Sequence, residues 1–269
     1  MTRRTIRAAA VLLTAGLALA GCSSSDESAS SSTTAKGGDE LSVCSDIPYE
    51  PMEFEAKKGE TPSGYTGFDI DLVQQIADGA DRTLKVKVTP FDGIIGALNA
   101  GQCDAIVSSL TITDERKQNV DFTTPYFNSD QSILVRKEDA GKYATLADLT
   151  GAKIGVQSGT TGEEYVNKNQ PEGSTVTALP GAADLFAALD SGKIDAVVQD
   201  YPINAYRATQ RDTVALSEKI PTGEQYGIAV KKGNTEVLEI FNKGLAAAKA
   251  DGSYEKIYIQ YFGEKPPAS

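Results

Sequence analysis

Short apolar runs alternate with segments of helical period along the chain, and one such unit occurs twice. GIIGALNAGQCDAIVSS (93–109) and DLFAALDSGKIDAVVQD (184–200) align without a gap and share Ala, Leu, Gly, Asp, Ala and Val at 97/188, 98/189, 101/192, 104/195, 105/196 and 107/198. Each reads as a short helix, a glycine turn, an acid, and a buried strand ending in two polar residues. Those endings differ, Ser108-Ser109 in one copy and Gln199-Asp200 in the other. Ligands of α/β sheets bind beyond the carboxyl ends of the strands, so two copies imply two similar lobes aiming polar strand ends at a shared cleft.

The remaining pattern fits this plan. An apolar strand is expected at 41–45, followed by the loop IPYEP. Residues 68–80 place Ile70, Val73, Ile76, Ala77 and Ala80 at helical spacing, with Asp69 and Asp71 in the first turn. Leu84, Val86 and Val88 alternate as a strand, Asp92 is placed to cap the helix of Ile94, Ile95 and Leu98, and 103–109 forms a third strand. The second half predicts strands at 153–157, 176–179 and 194–199, with helices opening at SGTTG (158–162) and spanning 182–191. Alternating strands and helices imply an α/β fold with parallel sheets. Two alternating stretches, 132–135 and 226–230, would carry the chain to the second lobe and back. The helical tail, with Val237, Leu238, Phe241 and Leu245 on one face, is expected to pack on the first lobe.

The N-terminus departs from this pattern. Arg3, Arg4 and Arg7 precede a short apolar stretch at 8–20 that ends in Leu19-Ala20-Gly21-Cys22. This is the layout of an export signal, too short for a spanning helix. Thr2-Arg3-Arg4 is also loosely similar to a twin-arginine signal. Small residues followed at once by Cys resemble a bacterial lipobox, which implies removal of 1–21 and lipidation of Cys22. Residues 22–40 are Ser- and Gly-rich with almost no apolar residue, as a flexible tether would be. No second apolar run is long enough to span a bilayer.

The net charge is −11, and it becomes −14 without the three arginines of the signal. That balance argues against a nucleic-acid partner, which demands basic patches. His is absent, which excludes a His general base and His metal ligands; neither metal nor cofactor is expected. Outside the signal only Cys44 and Cys103 remain. An exported chain makes a disulfide between them the default. Against it, Cys103 occupies the position of Ile194 in the repeat, as a small buried hydrophobe could, and strand register could hold the two apart.

After the first repeat runs SSLTITDER (108–116). Thr113 suits an N-cap, with Asp114 and Glu115 in the first turn. Arg116 does not suit that turn, because a cation there opposes the helix dipole; a bound anion would offset the cost. Its planar fork matches a carboxylate. The plainer reading is a surface ion pair with Asp121 or Glu115.

SSLTITDER, with FDGIIGAL before it and VDFTTPY after it, resembles the extracellular solute-binding proteins, family 3, of polar amino-acid ABC importers. GFDIDL, IGVQSGTT, IDAVVQD and EQYGIAV follow the same order, so the resemblance covers nearly all of 41–266. It implies a two-lobed periplasmic-binding-protein fold, each lobe a mostly parallel sheet flanked by helices, joined by a two-stranded hinge. Lobe 1 would be 41–125 plus 227–269, lobe 2 would be 131–221, and the hinges 126–130 and 222–226. By the same resemblance Arg116 would hold the ligand α-carboxylate with Ser109, Thr111 and Thr161, at a strand end that also carries Ser108. Asp200 would take the α-ammonium, Tyr49 and Phe91 would wall the side chain, and Asp46 would read its end. Gln157 stands where similar glutamine binders carry Lys. An acid between aromatic walls suits Lys, Arg or ornithine. The implied partners are a free amino acid, an ABC permease with its ATPase, and the membrane through Cys22, with the protein a monomer on the outer face of the cell membrane. Two rivals are a dehydratase on the same fold, which needs a poised acid or base, and the sensor half of a receptor.

Overall fold

The computed structural model describes residues 39–267. The export signal, most of the tether and Cys22 lie outside the described residues.

The chain runs β1 (Glu40–Ser45), β2 (Phe54–Glu55), β3 (Tyr65–Thr66), α1 (Phe68–Gly79), β4 (Thr83–Val88), α2 (Ile94–Asn99), β5 (Ala105–Ile106), α3 (Asp114–Lys117), β6 (Val120–Phe122) and β7 (Phe127–Arg136). It continues with β8 (Lys153–Gln157), α4 (Thr161–Lys168), β9 (Thr175–Leu179), α5 (Ala182–Asp190), β10 (Ala196–Asp200), α6 (Tyr201–Gln210), β11 (Val214–Tyr226), β12 (Ala229–Lys231), α7 (Thr235–Asp251) and α8 (Ser253–Phe262).

Two five-stranded sheets carry the two lobes, and their topologies match. The first is ordered β4-β1-β5-β12-β6, the second β9-β8-β10-β7-β11. The first three strands of each are mutually parallel. In each the fourth strand is reversed: β12 runs antiparallel to β5 and β6, and β7 antiparallel to β10 and β11. Each reversed strand is the one that enters its sheet after a crossing from the other. The crossing segments pair along β7 and β11, from Phe127↔Tyr226 to Arg136↔Val214.

While the edge strands β4 and β9 are mostly exposed or half-buried, the inner parallel strands β1, β8 and β10 are buried along nearly their whole length. That burial gives continuous apolar runs rather than alternation. The repeat has a structural reason. Gly101 and Gly192 both take positive φ, 73° and 72°, after α2 and α5, where a Cβ would be strained. Asp104 and Asp195 then make the same contact. Asp104 accepts from the Ser42 amide at 2.8 Å and Asp195 from the Lys153 amide at 2.9 Å, each fixing the start of the neighbouring parallel strand.

Cys44 and Cys103 are disulfide-bonded, with Cα atoms 5.7 Å apart. Strand register does not separate them, because Cys103 precedes β5 and lies in the turn after α2. Both sit in a buried cluster with Ile94, Leu98, Ile106 and Leu110. The strand expected at 103–109 is only two residues long, Ala105–Ile106, and the chain turns to the cleft after Val107, whose amide still donates to the Cys44 carbonyl at 3.0 Å. Nor does Asp92 cap α2: it lies in a 3₁₀ turn, Phe91–Gly93, and Gly93 is the cap position. The stretch expected at 226–230 is two strands, split at Gly227 and Ile228. The tail is two helices broken at Gly252, whose φ is 82°. Phe241 and Leu245 of α7 join Val73 and Ile76 of α1 in the first lobe's core, as expected.

Candidate functional site

The carboxyl ends of four parallel strands converge on one cavity. β1 delivers Asp46 and the loop to Tyr49, the chain after β5 delivers Ser108, Ser109 and Thr111, β8 delivers Gln157, and β10 delivers Asp200. Phe91, Arg116, Thr160 and Thr161 complete a lining around a narrow cavity of about 10 Å³ between the sheets, no more than the space of one water. All ten residues predicted to bind ligand lie on this wall; Thr160 is the addition.

Arg116 is 9 % exposed. Thr113 caps its helix as predicted, its hydroxyl accepting from the Arg116 amide at 3.1 Å. The helix is four residues long, so its dipole is a minor cost. The guanidinium donates to the Thr111 carbonyl at 2.8 Å and to the Gly159 carbonyl at 3.0 Å, and stands 5.4 Å from the Phe91 ring centre. The surface pairings with Asp121 or Glu115 do not form: Asp121 is paired with Lys232 at 3.1 Å, and among the described residues no carboxylate lies within 4.0 Å of Arg116. A guanidinium has five N–H donors, so a buried cation is left with donors for an anion. Burial lowers its pKa, while Asp200, Glu164 and Glu224 oppose that shift.

Asp200 forms the opposite pole. It is buried and accepts from Tyr226 at 2.6 Å, Gln131 at 2.7 Å and Tyr49 at 3.2 Å. Burial, and then the nearby Glu224, push its pKa up to about 6 against those hydrogen bonds. Asp46 lies elsewhere on the wall and accepts from the Gln157 amide at 2.5 Å. Burial raises it to about 6, with the Gln157 hydrogen bond opposing. Gln157 also donates to the Pro180 carbonyl at 3.1 Å.

The two serines do more structural work than sequence reasoning assigned them. The Ser108 hydroxyl donates to Glu53 at 2.9 Å and accepts from the Asp46 amide at 2.9 Å. Ser109 has a φ of 49°, uncommon for a residue with a Cβ, and its amide donates to Asp69 at 2.8 Å. Asp69, by its spacing a first-turn helix acid, is fully buried beneath the cavity, where Tyr126 also donates to it at 2.8 Å. Glu53, equally buried, hydrogen-bonds Asp69. Burial pushes Asp69 up to about 6, and burial with the Asp69 charge drives Glu53 well above the carboxylate range. Glu53 Oε2 and Asp69 Oδ1 meet no N–H or O–H donor, so a proton held by Glu53 and given to Asp69 satisfies both.

Four residues around the cavity have no site role assigned from sequence: Glu53, Gln131, Glu224 and Tyr226, the last two known only as part of EQYGIAV and the expected hinge. Gln131 sits in β7, and Glu224 and Tyr226 in β11, so the crossing ribbon supplies side chains as well as connections. Gly162 admits Gln131: a Cβ there would stand 2.9 Å from the Gln131 Oε1.

Residues 41–264 match the model of the bacterial extracellular solute-binding proteins, family 3. The chain belongs to this family. It is 36 % identical over 220 residues to arginine-binding protein 1 of an Escherichia coli ABC transporter, covering 80 % of this chain and 87 % of that one. An ancestral arginine-binding protein, solved with arginine bound, superposes with a TM-score of 0.78 at 39 % identity, covering 84 % of this chain and 99 % of its own. An ancestral amino acid-binding protein, a precursor of cyclohexadienyl dehydratase, gives a TM-score of 0.76 at 38 % identity, covering 83 % and 95 %. Family membership brings the two-lobed fold and a solute-binding role outside the cell.

Proposed function

We propose that this protein captures a cationic amino acid (arginine, lysine or ornithine) outside the cell and delivers it to the permease of an ABC importer. The observation that carries this reading is the buried Arg116, without a carboxylate partner among the described residues, on the same cavity wall as Asp200. A zwitterion entering as the lobes part would lie between them, its carboxylate on the guanidinium and its ammonium toward Asp200. The side chain then runs between Phe91 and Tyr49 toward Asp46, which exchanges the Gln157 amide for the ligand's cation. Arginine-binding relatives support the cationic choice.

Binding couples to closure because the site is split between lobes. Arg116 and Asp46 come from the first sheet's side, Gln157 and Asp200 from the second. A ligand that touches all four binds a closed arrangement better than an open one, which is the condition for shifting the balance. The hinges of this motion are 126–130 and 222–226, between lobe 1 (41–125 with 227–269) and lobe 2 (131–221), and the closed surface is what a permease reads. A lipid on Cys22, with 22–40 as tether, holds the monomer at the membrane's outer face.

A dehydratase reading has less support. Glu53, the acid raised furthest, gives one oxygen to Ser108 and hydrogen-bonds Asp69 below the floor, rather than facing a substrate.

A thermal-shift screen of the twenty amino acids with ornithine and citrulline tests the reading, since a ligand of the native state raises the melting point. Arginine, lysine or ornithine should give the largest rise and be recovered unchanged. No rise with any amino acid would refute it.

A further inference from the structure

Glu224 stands behind the cavity wall in β11, at the edge of the groove on the outer side of the crossing ribbon, lined also by Phe127, Tyr201 and Tyr258. One of its oxygens, Oε2, accepts from the Thr111 hydroxyl at 2.9 Å and from the Thr161 hydroxyl at 2.8 Å. The first threonine belongs to the loop after β5, the second opens α4 on the other lobe. The other oxygen accepts from Thr222 at 3.0 Å, and the Gln131 amide lies 3.0 Å from it. That same amide donates to Asp200 at 2.7 Å.

A threonine hydroxyl has one proton and two lone pairs. Once the proton is given to Glu224, only lone pairs remain for the cavity. Thr111 and Thr161 are then acceptors, unable to donate to a carboxylate through their hydroxyls. This reverses the role expected of them as helpers of Arg116.

We propose that Glu224 is a positioning residue of the ligand site: by taking the protons of Thr111 and Thr161 it turns both hydroxyls into acceptors, and with Asp200 it builds one pole that selects an α-ammonium. The proposal rests on the amino-acid reading above. Glu224 also raises the pKa of Asp200, as two like charges on one side of a site must, and an ammonium placed there relieves that repulsion.

The test compares L-arginine with its des-amino analogue, 5-guanidinopentanoate, by displacement of labelled arginine. Glu224→Gln should weaken L-arginine at least tenfold and the analogue less than threefold, because the analogue has no ammonium to lose. Thr161→Val, which leaves Glu224 in place, should shift the ratio in the same direction and serves if Glu224→Gln fails to fold. Equal losses for both ligands would make Glu224 a lobe latch without selectivity and overturn the proposal; so would a loss below threefold for arginine. If the wild-type protein binds no amino acid at all, the underlying function fails first and the proposal falls with it.

Discussion

The Arg116 guanidinium and the Gly159 carbonyl meet at 3.0 Å across the cleft. The residue assigned to hold the ligand is therefore also a tie between the lobes, and the tie stops at one hydrogen bond to a neutral acceptor. A carboxylate arriving at Arg116 adds charge-assisted bonds that a carbonyl cannot match, about 1.5–3 kcal/mol each.

Replacing Arg116 thus separates charge from geometry. Arg116→Ala should abolish detectable amino-acid binding by calorimetry, since truncating one member of a buried charge pair costs about 2–5 kcal/mol. Arg116→Lys keeps the charge and loses the fork, and should still weaken binding by about tenfold or more. Undiminished affinity in the alanine variant would remove the carboxylate assignment.

Asp46 bears on selectivity. Asp46→Asn preserves a partner for the Gln157 amide through its carbonyl but removes the charge. Arginine and lysine should lose far more affinity than glutamine, measured side by side by calorimetry. Parallel losses would show that Asp46 does not read the end of the side chain.

The raised carboxylates predict a pH dependence with a definite sign. Asp46, Asp69 and Asp200 each titrate near 6 in the folded protein against an ordinary 3.8. Between those values the native state holds more protons than the unfolded chain, so these groups make the ligand-free protein lose stability as pH rises from about 4 to 6. Cation binding requires the ionised form and runs the other way. From pH 7 to 5 arginine affinity should fall by about tenfold for each of Asp200 and Asp46, and glutamine affinity by about tenfold for Asp200 alone. A flat arginine profile over that range would contradict the assignment of both acids.

The disulfide closes a loop across 59 residues of sequence. Constraining the unfolded chain over such a loop is worth about 4 kcal/mol in the chain-entropy account. Cys103→Ser should lower the denaturation midpoint accordingly while leaving ligand affinity within threefold, because the bridge lies in the core beneath β5 and does not line the cavity. A large loss of affinity with unchanged stability would reverse that division.

Much of this fold was legible because buried parallel strands write themselves as apolar runs between helices, and the repeat located two of them. Asp104 and Asp195 explain why the repeated acid is there, and the differing endings pointed correctly to the cleft. The strand at β5 is shorter than its apolar run suggests: the Val107 amide still bonds the Cys44 carbonyl at 3.0 Å, but the polar Ser108 and Ser109 that follow leave the ladder for the cleft. The helix α6 gives little signal because YPINAYRATQ has a proline at its second position and carries polar residues on several faces. Glu224, Gln131 and Glu53 escaped for a different reason. A polar residue in a strand or hairpin gives no sign of which side chain it meets, and their partners come from segments about 50 to 110 residues away. Arg116 was found because it broke a local rule of helix charge, though its helix proved too short for the rule to cost much.

The most direct measurement is a crystal structure of the protein grown with L-arginine. The ligand's carboxylate should lie on the Arg116 guanidinium and its ammonium within hydrogen-bond distance of Asp200, with the side chain between Phe91 and Tyr49 ending at Asp46. Arginine bound in the reverse sense, or held by one lobe with Asp200 turned away, would contradict the account.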